Sequence, residues 1–354
     1  MVKFGTRQVG DGQPCFITYE AGPTHSGLES AKRLASLAAE AKADAVKFQV
    51  IDPDRLVADR KQLFTYEVLV DRDSGATESI SEPLYDILCR RALAKDEWRE
   101  LKRHCDGLGL AFFATIGFED EIELLEELRC DSIKIASADV NHTPLLRRAA
   151  RSGMCLQLDT GNATIGEIEA AVDVIRGEGN ENIIIHHCPS GYPARLESIN
   201  LNVIPTLKRM FVFPIAYSDH TPGWDMDLAA VALGANLVEK TISEDRTTRS
   251  VEHVMSIEPA EMARFIAVIR DLETALGSPR RMMTPAEVER RNANRRSIHL
   301  RRAMAAGDTL AFEDLDFRRP GYGIAPTETD RLVGKTLRSA KPAGARLDWA
   351  DLAL

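Results

Sequence analysis

Ser218, Asp219 and His220 follow one short apolar run, residues 211–217, and Glu239 and Thr241 close another, residues 236–240. A helical pattern over residues 225–235 joins the two runs, so the stretch reads as strand, helix and parallel strand. Parallel α/β folds bind ligands at the carboxyl ends of their strands. A hydroxyl, two carboxylates and an imidazole can therefore converge there. An ordinary loop and capped helix would use the same letters, with Ser218 or Thr221 as the cap, and the other strand ends separate the two readings.

Those ends are polar throughout: Glu20; Lys47 and Gln49; Thr115; Lys134 and Ser137; Asp159 and Thr160; then the stretch from His186 to Ser190. A single lysine in such a place usually snorkels to solvent. Two lysines flanked by Thr115, Ser137 and Ser218 suggest instead an anion site, where ammonium groups and hydroxyls share a phosphate or a carboxylate. His186 and His187 are neighbours on a strand and face opposite ways, so at most one points inward.

The elements that position these residues alternate. Strand-like runs at residues 16–20, 45–49, 110–115, 132–136, 155–159, 182–186, 211–217 and 236–240 are each followed by a helical pattern, the last at residues 259–276. Eight such repeats predict a closed (β/α)8 TIM barrel. A doubly wound open sheet is the alternative, but no GxGxxG follows the first strand. Residues 51–95 form a long connection holding Asp71-Arg72-Asp73-Ser74-Gly75, Pro83 and a short helical pattern, and its placement suits a lid. After Gly277 the composition shifts, with eight arginines between Arg280 and Arg302 that read as helix surface and linker. The expected division is a barrel at residues 1–278, a linker at 279–294 and a small Gly/Pro-punctuated domain at 295–354.

The formal charge of −9 argues against a nucleic-acid surface, which carries a basic excess. Six cysteines without a CxxC pair and an amino terminus without an apolar signal segment suggest a reduced, cytoplasmic protein. No run of about 18 apolar residues suggests a membrane span.

Residues 19–25 (Tyr-Glu-Ala-Gly-Pro-Thr-His), Val46-Lys47-Phe48-Gln49, Lys134-Ile135-Ala136-Ser137, Asp159-Thr160-Gly161, His187-Cys188 with Tyr192-Pro193, residues 217–221 and Glu239-Lys240 together resemble the N-acetylneuraminate (sialic acid) synthase family. That family includes legionaminic and pseudaminic acid synthases and spore coat polysaccharide synthase-like proteins. Residues 318–324 with Leu332-Val333-Gly334-Lys335 resemble the antifreeze-like (SAF) module that closes these synthases. The resemblance implies condensation of phosphoenolpyruvate with the open-chain aldehyde of an N-acylated sugar, with release of phosphate. It implies a divalent metal, manganese or magnesium, and a domain-swapped homodimer in which Arg319 reaches the partner's barrel. By motif position Glu20, Glu239 and His220 would be catalytic. Lys47, Gln49, Thr115, Lys134, Ser137, Asp159, Ser190, Tyr192, Ser218, Asp219 and Arg319 would bind substrates.

The chain departs from the pattern inside the site. The family's second metal-binding histidine falls 21 places after His220, where this chain has Thr241. Threonine is a poor ligand beside imidazole, so metal binding is expected to be weakened or lost. Asp159 replaces a serine, Ile116-Gly117 a Pro-Phe, and residues 250–253 (Ser-Val-Glu-His) a Gly-Pro-Asp-His-like loop. Two other function classes stay open at this level: a Schiff-base aldolase using Lys134 or Lys240, and a non-catalytic sugar-binding barrel.

Overall fold

The computed structural model describes residues 1–353. The chain forms two compact units, Met1–Gly277 and Ser278–Leu354. In the first, eight parallel strands close into a barrel in chain order: β1 (Phe16–Glu20), β2 (Ala45–Gln49), β3 (Ala111–Ile116), β4 (Ser132–Ile135), β5 (Cys155–Asp159), β6 (Ile183–His187), β7 (Ile215–Asp219) and β8 (Leu237–Thr241). The principal helices are α1 (Leu28–Glu40), α2 (Lys95–Leu108), α3 (Glu119–Glu127), α4 (Thr143–Arg151), α5 (Ile165–Gly177), α6 (Val203–Met210), α7 (Asp225–Ala232) and α8 (Pro259–Leu276). This is the expected TIM barrel.

Alternation along each strand sorts the side chains. Ile17, Tyr19, Val46, Phe48, Phe112, Ile133, Leu156, Ile185 and Val238 face the helices and join one buried cluster with their apolar stripes. The inward set begins apolar at the amino ends, with Phe16, Phe113, Ile184 and Leu237 packed together, and becomes polar toward the carboxyl ends. Burial on both faces explains why the strand bodies read as nearly continuous apolar runs.

Three elements were not legible in advance. A hairpin of Val2–Phe4 and Arg7–Val9 plugs the amino end of the barrel, where the Phe4 ring stacks on Phe16 at 4.6 Å and meets Phe113 edge-on at 5.1 Å. The connection at residues 51–95 is not merely extended. Leu63–Leu69 pairs antiparallel with Thr77–Pro83 and leads into a helix, Leu84–Cys89, because Tyr66 and Val68 on one face bury against Ile87 and Val251. Its turn is tied down by Arg72, which donates to Asp245 and Glu258 at 2.6 Å. The seventh strand starts at Ile215 rather than at Phe211, which caps the carboxyl end of α6.

In the second unit, Ser297–Leu300 pairs with Leu315–Arg318 around a core that includes Ile298, Leu310, Leu332 and Leu347. The arginine-rich stretch before it contains a ten-residue helix, Pro285–Asn294, capped by Thr284 and Glu287. Among the described residues no helix is long and apolar enough to cross a membrane.

Candidate active site

The polar ends of the inward rows meet in one buried ion network. Lys47 on β2 pairs with Glu20 on β1 and lies 3.2 Å from Glu239 on β8. The other oxygen of Glu239 accepts from Lys134 on β4 at 2.8 Å. Lys134 also reaches Asp159 at 3.2 Å, Ser218 at 3.1 Å and His186 at 3.3 Å. The strands place these groups at adjacent register positions: Glu20 faces Lys47, Ser218 faces Glu239, and His186 faces Asp159. All six charged or imidazole groups are buried, and burying charge is tolerated only where partners converge like this.

The carboxyl groups differ in kind. Burial pushes Glu20 above the usual carboxylate range, opposed by Lys47 and reinforced by the charge of Glu239. Glu239 is also buried, but Lys134 and Lys47 outweigh that and hold it well below its ordinary value. Lys47 is held well above the usual lysine range because Glu20 and Glu239 overcome its burial. Such divergence between neighbouring carboxyls is how one site holds an acid and a base together. His186 is neutral at ordinary pH, since burial and then Lys134 press its pKa far down. Gln157 gives its amide hydrogens to Ser132 at 3.1 Å, so its oxygen faces His186 Nε2 at 2.8 Å. That network assigns the proton to Nε2 and leaves Nδ1 to accept.

Above the network opens a cavity of about 320 Å³. Glu20, Lys47, Gln49, Thr115, Ser137, Asp159, Tyr192, His220 and Glu239 line it. Lys134 and Ser218 lie beneath them in the network, and Ser190 is exposed, within 2.8 Å of the Gly161 carbonyl. The hydroxyl of Thr115 is buried without a hydrogen-bond partner, as befits a group awaiting a ligand. Gly161 is required because a Cβ there would collide with the Cys188 carbonyl oxygen. His220 gives Nδ1–H to the Pro189 carbonyl at 3.0 Å and packs against the Tyr192 ring at 4.6 Å. Burial lowers its pKa, so the imidazole presents a bare Nε2.

One expected residue faces away from the cavity. Asp219 has the opposite strand parity to Ser218. It points out of the barrel, pairs with buried Lys240 and accepts from Tyr217 at 2.9 Å and Thr221 at 2.8 Å. Asp219 is thus a structural anchor for the layer beneath α7, which corrects its assignment to substrate. Arg319 is exposed on the second unit. Conversely, the cavity includes residues that sequence reasoning passed over. Arg91, Phe64, Leu84 and Ile87 come from the connection after β2, and Glu252 from the loop after β8. Glu252 is held at φ 72°, accepts from Thr241 at 3.4 Å, and is raised to about 7 by burial and then by the charge of Glu20.

The sequence matches the NeuB family over residues 34–281 and the SAF domain over residues 295–353. The chain belongs to the NeuB family. It is 35% identical to the N,N'-diacetyllegionaminic acid synthase of Legionella pneumophila over 98% of this chain and 97% of that one. It is 31% identical to human N-acetylneuraminate-9-phosphate synthase over 93% and 90%. A crystal structure of N-acetylneuraminic acid synthetase from Leptospira borgpetersenii, in complex with citrate, matches with a TM-score of 0.71 at 31% identity, covering 83% of this chain and 96% of that one. The chain is accordingly an enzyme of the condensing, transferase type.

NeuB-family enzymes generally depend on a metal, and the donor set here does not fit the family's two-histidine site. His220 offers one imidazole nitrogen, while the position of the second holds Thr241, whose hydroxyl is engaged by Glu252. Among the described residues no three His, Cys, Asp or Glu side chains form a chelating group.

Proposed function

We propose that this enzyme joins C3 of phosphoenolpyruvate to the aldehyde carbon of an open-chain N-acylated hexosamine and releases phosphate. The product is a 2-keto-3-deoxy nonulosonic acid. The observation that carries this reading is the pair Lys47 and Lys134 bridged by ionised Glu239, beneath a cavity with an unpartnered Thr115 hydroxyl. Fixed cations and hydroxyls suit a trianionic enol phosphate. When C3 attacks the aldehyde, positive charge develops at C2 and negative charge on the aldehyde oxygen. Glu239 can stabilise the first, and the hydrogen-bonded Lys47–Glu20 pair can supply a proton to the second. Water then adds at C2, and the resulting hemiketal phosphate collapses to the ketone and free phosphate. Lys47, Gln49, Thr115, Lys134, Ser137, Ser190 and Ser218 are assigned to phosphoenolpyruvate. Tyr192 and His220 are assigned to the acceptor wall, and Asp159 to holding Lys134.

A Schiff-base aldolase is less well supported. Lys47 is held as ammonium by two carboxylates, Lys134 is tied to four partners, and Lys240 faces away from the cavity. The assembly proposed is a homodimer in which Arg319 completes the partner's site. The function is tested by following phosphate release from phosphoenolpyruvate with a panel of N-acyl hexosamines, with manganese and with chelator. Borohydride trapping of a pyruvate adduct would establish the aldolase instead.

A further inference from the structure

Within the cavity the lysines are already answered. Lys47 meets Glu20 and Glu239, and Lys134 meets Glu239 and Asp159, so two ammonium groups face three carboxylates. A phosphate ester entering this array needs a further cation. Arg91 sits just beyond the helix Leu84–Cys89, is only 5% exposed, and lines the same cavity. Its Nε donates to the Ile87 carbonyl at 3.4 Å, and its terminal nitrogens have no protein acceptor among the described residues. Its neighbour Arg90, by contrast, is committed to Glu82 at 2.7 Å.

A simple structural role for Arg91, closing the carboxyl end of that helix, would use Nε and leave the guanidinium fork unexplained. Burying a cation without a counter-charge is costly, and burial pulls this guanidinium below the usual arginine value. Glu252, Glu20, Glu82, Tyr66, Arg90, His25 and His253 are the ionisable groups in range, and no carboxylate among them pairs with it directly. The planar fork matches the oxygens of a phosphate monoester two at a time.

We propose that Arg91 binds the phosphate monoester of a substrate at the cavity wall built by the connection after β2. This deepens the synthase reading and rests on it for the identity of the ester, which is either phosphoenolpyruvate itself or a terminal phosphate on the acceptor sugar. The apolar wall of Phe64, Leu84 and Ile87 beside it would exclude water from the contact.

The test has two parts. Titration calorimetry with inorganic phosphate should show saturable binding to the full-length protein, at least tenfold weaker in Arg91→Gln and intermediate in Arg91→Lys, with both variants melting near wild type. Steady-state assays then identify the source. A KM for phosphoenolpyruvate raised at least tenfold marks that phosphate. A KM raised only for an N-acyl hexosamine 6-phosphate, and not for the unphosphorylated sugar, marks the acceptor. Absence of saturable phosphate binding in wild type, or wild-type affinity in Arg91→Gln, overturns the proposal. Arg91-dependent phosphate binding without turnover of any sugar would instead remove the synthase reading and leave this site standing.

Discussion

Lys134→Ala should damage binding and folding together, and the structure says by how much. The side chain is fully buried and holds two carboxylates, Glu239 at 2.8 Å and Asp159 at 3.2 Å. Removing one member of a buried ion pair costs about 3–5 kcal/mol because the other charge is left unanswered. Lys47 still faces Glu239 at 3.2 Å, which places the expected loss near the lower end, about 3 kcal/mol. For a barrel of this size that is a melting-temperature drop of roughly 6–12 °C. Loss of a charged hydrogen bond to the substrate's phosphate or carboxylate should cost a further ~1.5–3 kcal/mol of binding, or about 10- to 150-fold in Kd. Differential scanning fluorimetry and calorimetry with phosphoenolpyruvate measure the two effects. A variant that melts like wild type would show that Lys134 is not a buried counter-charge. One that melts lower yet binds phosphoenolpyruvate unchanged would show that it is purely structural.

Glu252→Gln should reveal the cost of the buried carboxyl. Because the folded value, about 7, exceeds the ordinary 4.5, the native state holds the proton that the unfolded chain releases. Stability contributed by this group is therefore full below about 4.5 and falls as pH rises toward 7. Glu252→Gln should melt higher than wild type at pH 8 by up to about 3 kcal/mol, with the gap closing by pH 4.5; parallel melting curves across that range would contradict this. Thr241→His should raise manganese affinity in calorimetry with the fold intact, whereas sub-micromolar manganese binding by wild type would point to a ligand set other than the one described. Light scattering should show a dimer, and Arg319→Ala should lose kcat/KM without losing thermal stability; a fully active monomer would refute the shared site.

The barrel was legible because its signal is periodic. Eight apolar strand bodies buried on both faces, each followed by an amphipathic helix, leave few alternatives. The convergence of polar groups was legible for a related reason, since polar residues ending apolar strands have little structural purpose unless they meet. Strand parity was harder to read. From Ser218-Asp219 alone nothing indicates which residue faces the cavity, and the answer depends on the Asp219–Lys240 pair on the outer face. His186 was separable from His187 only once Gln157, Lys134 and Ser218 were seen around it, while His187 turns out to the Ile199 carbonyl at 2.6 Å. The amino-terminal hairpin has strands of three residues, too short to show alternation. Arg91 lay in a connection without periodicity. The one available hint was an Arg-Arg pair after an apolar half-helix, and a solvated surface explains such a pair equally well until the cavity is drawn.

The central claim is that this cavity couples carbon–carbon bond formation to loss of phosphate from phosphoenolpyruvate. It is tested most directly by running the reaction with an N-acyl hexosamine in water enriched in oxygen-18 and analysing the released phosphate by mass spectrometry. The account predicts phosphate formed one-for-one with a 2-keto acid and only when both substrates are present. Because water adds at C2 and the C–O bond breaks, that phosphate should carry no oxygen from solvent. Phosphate bearing a solvent oxygen, or released without the sugar, would mean direct hydrolysis at phosphorus and would contradict the account.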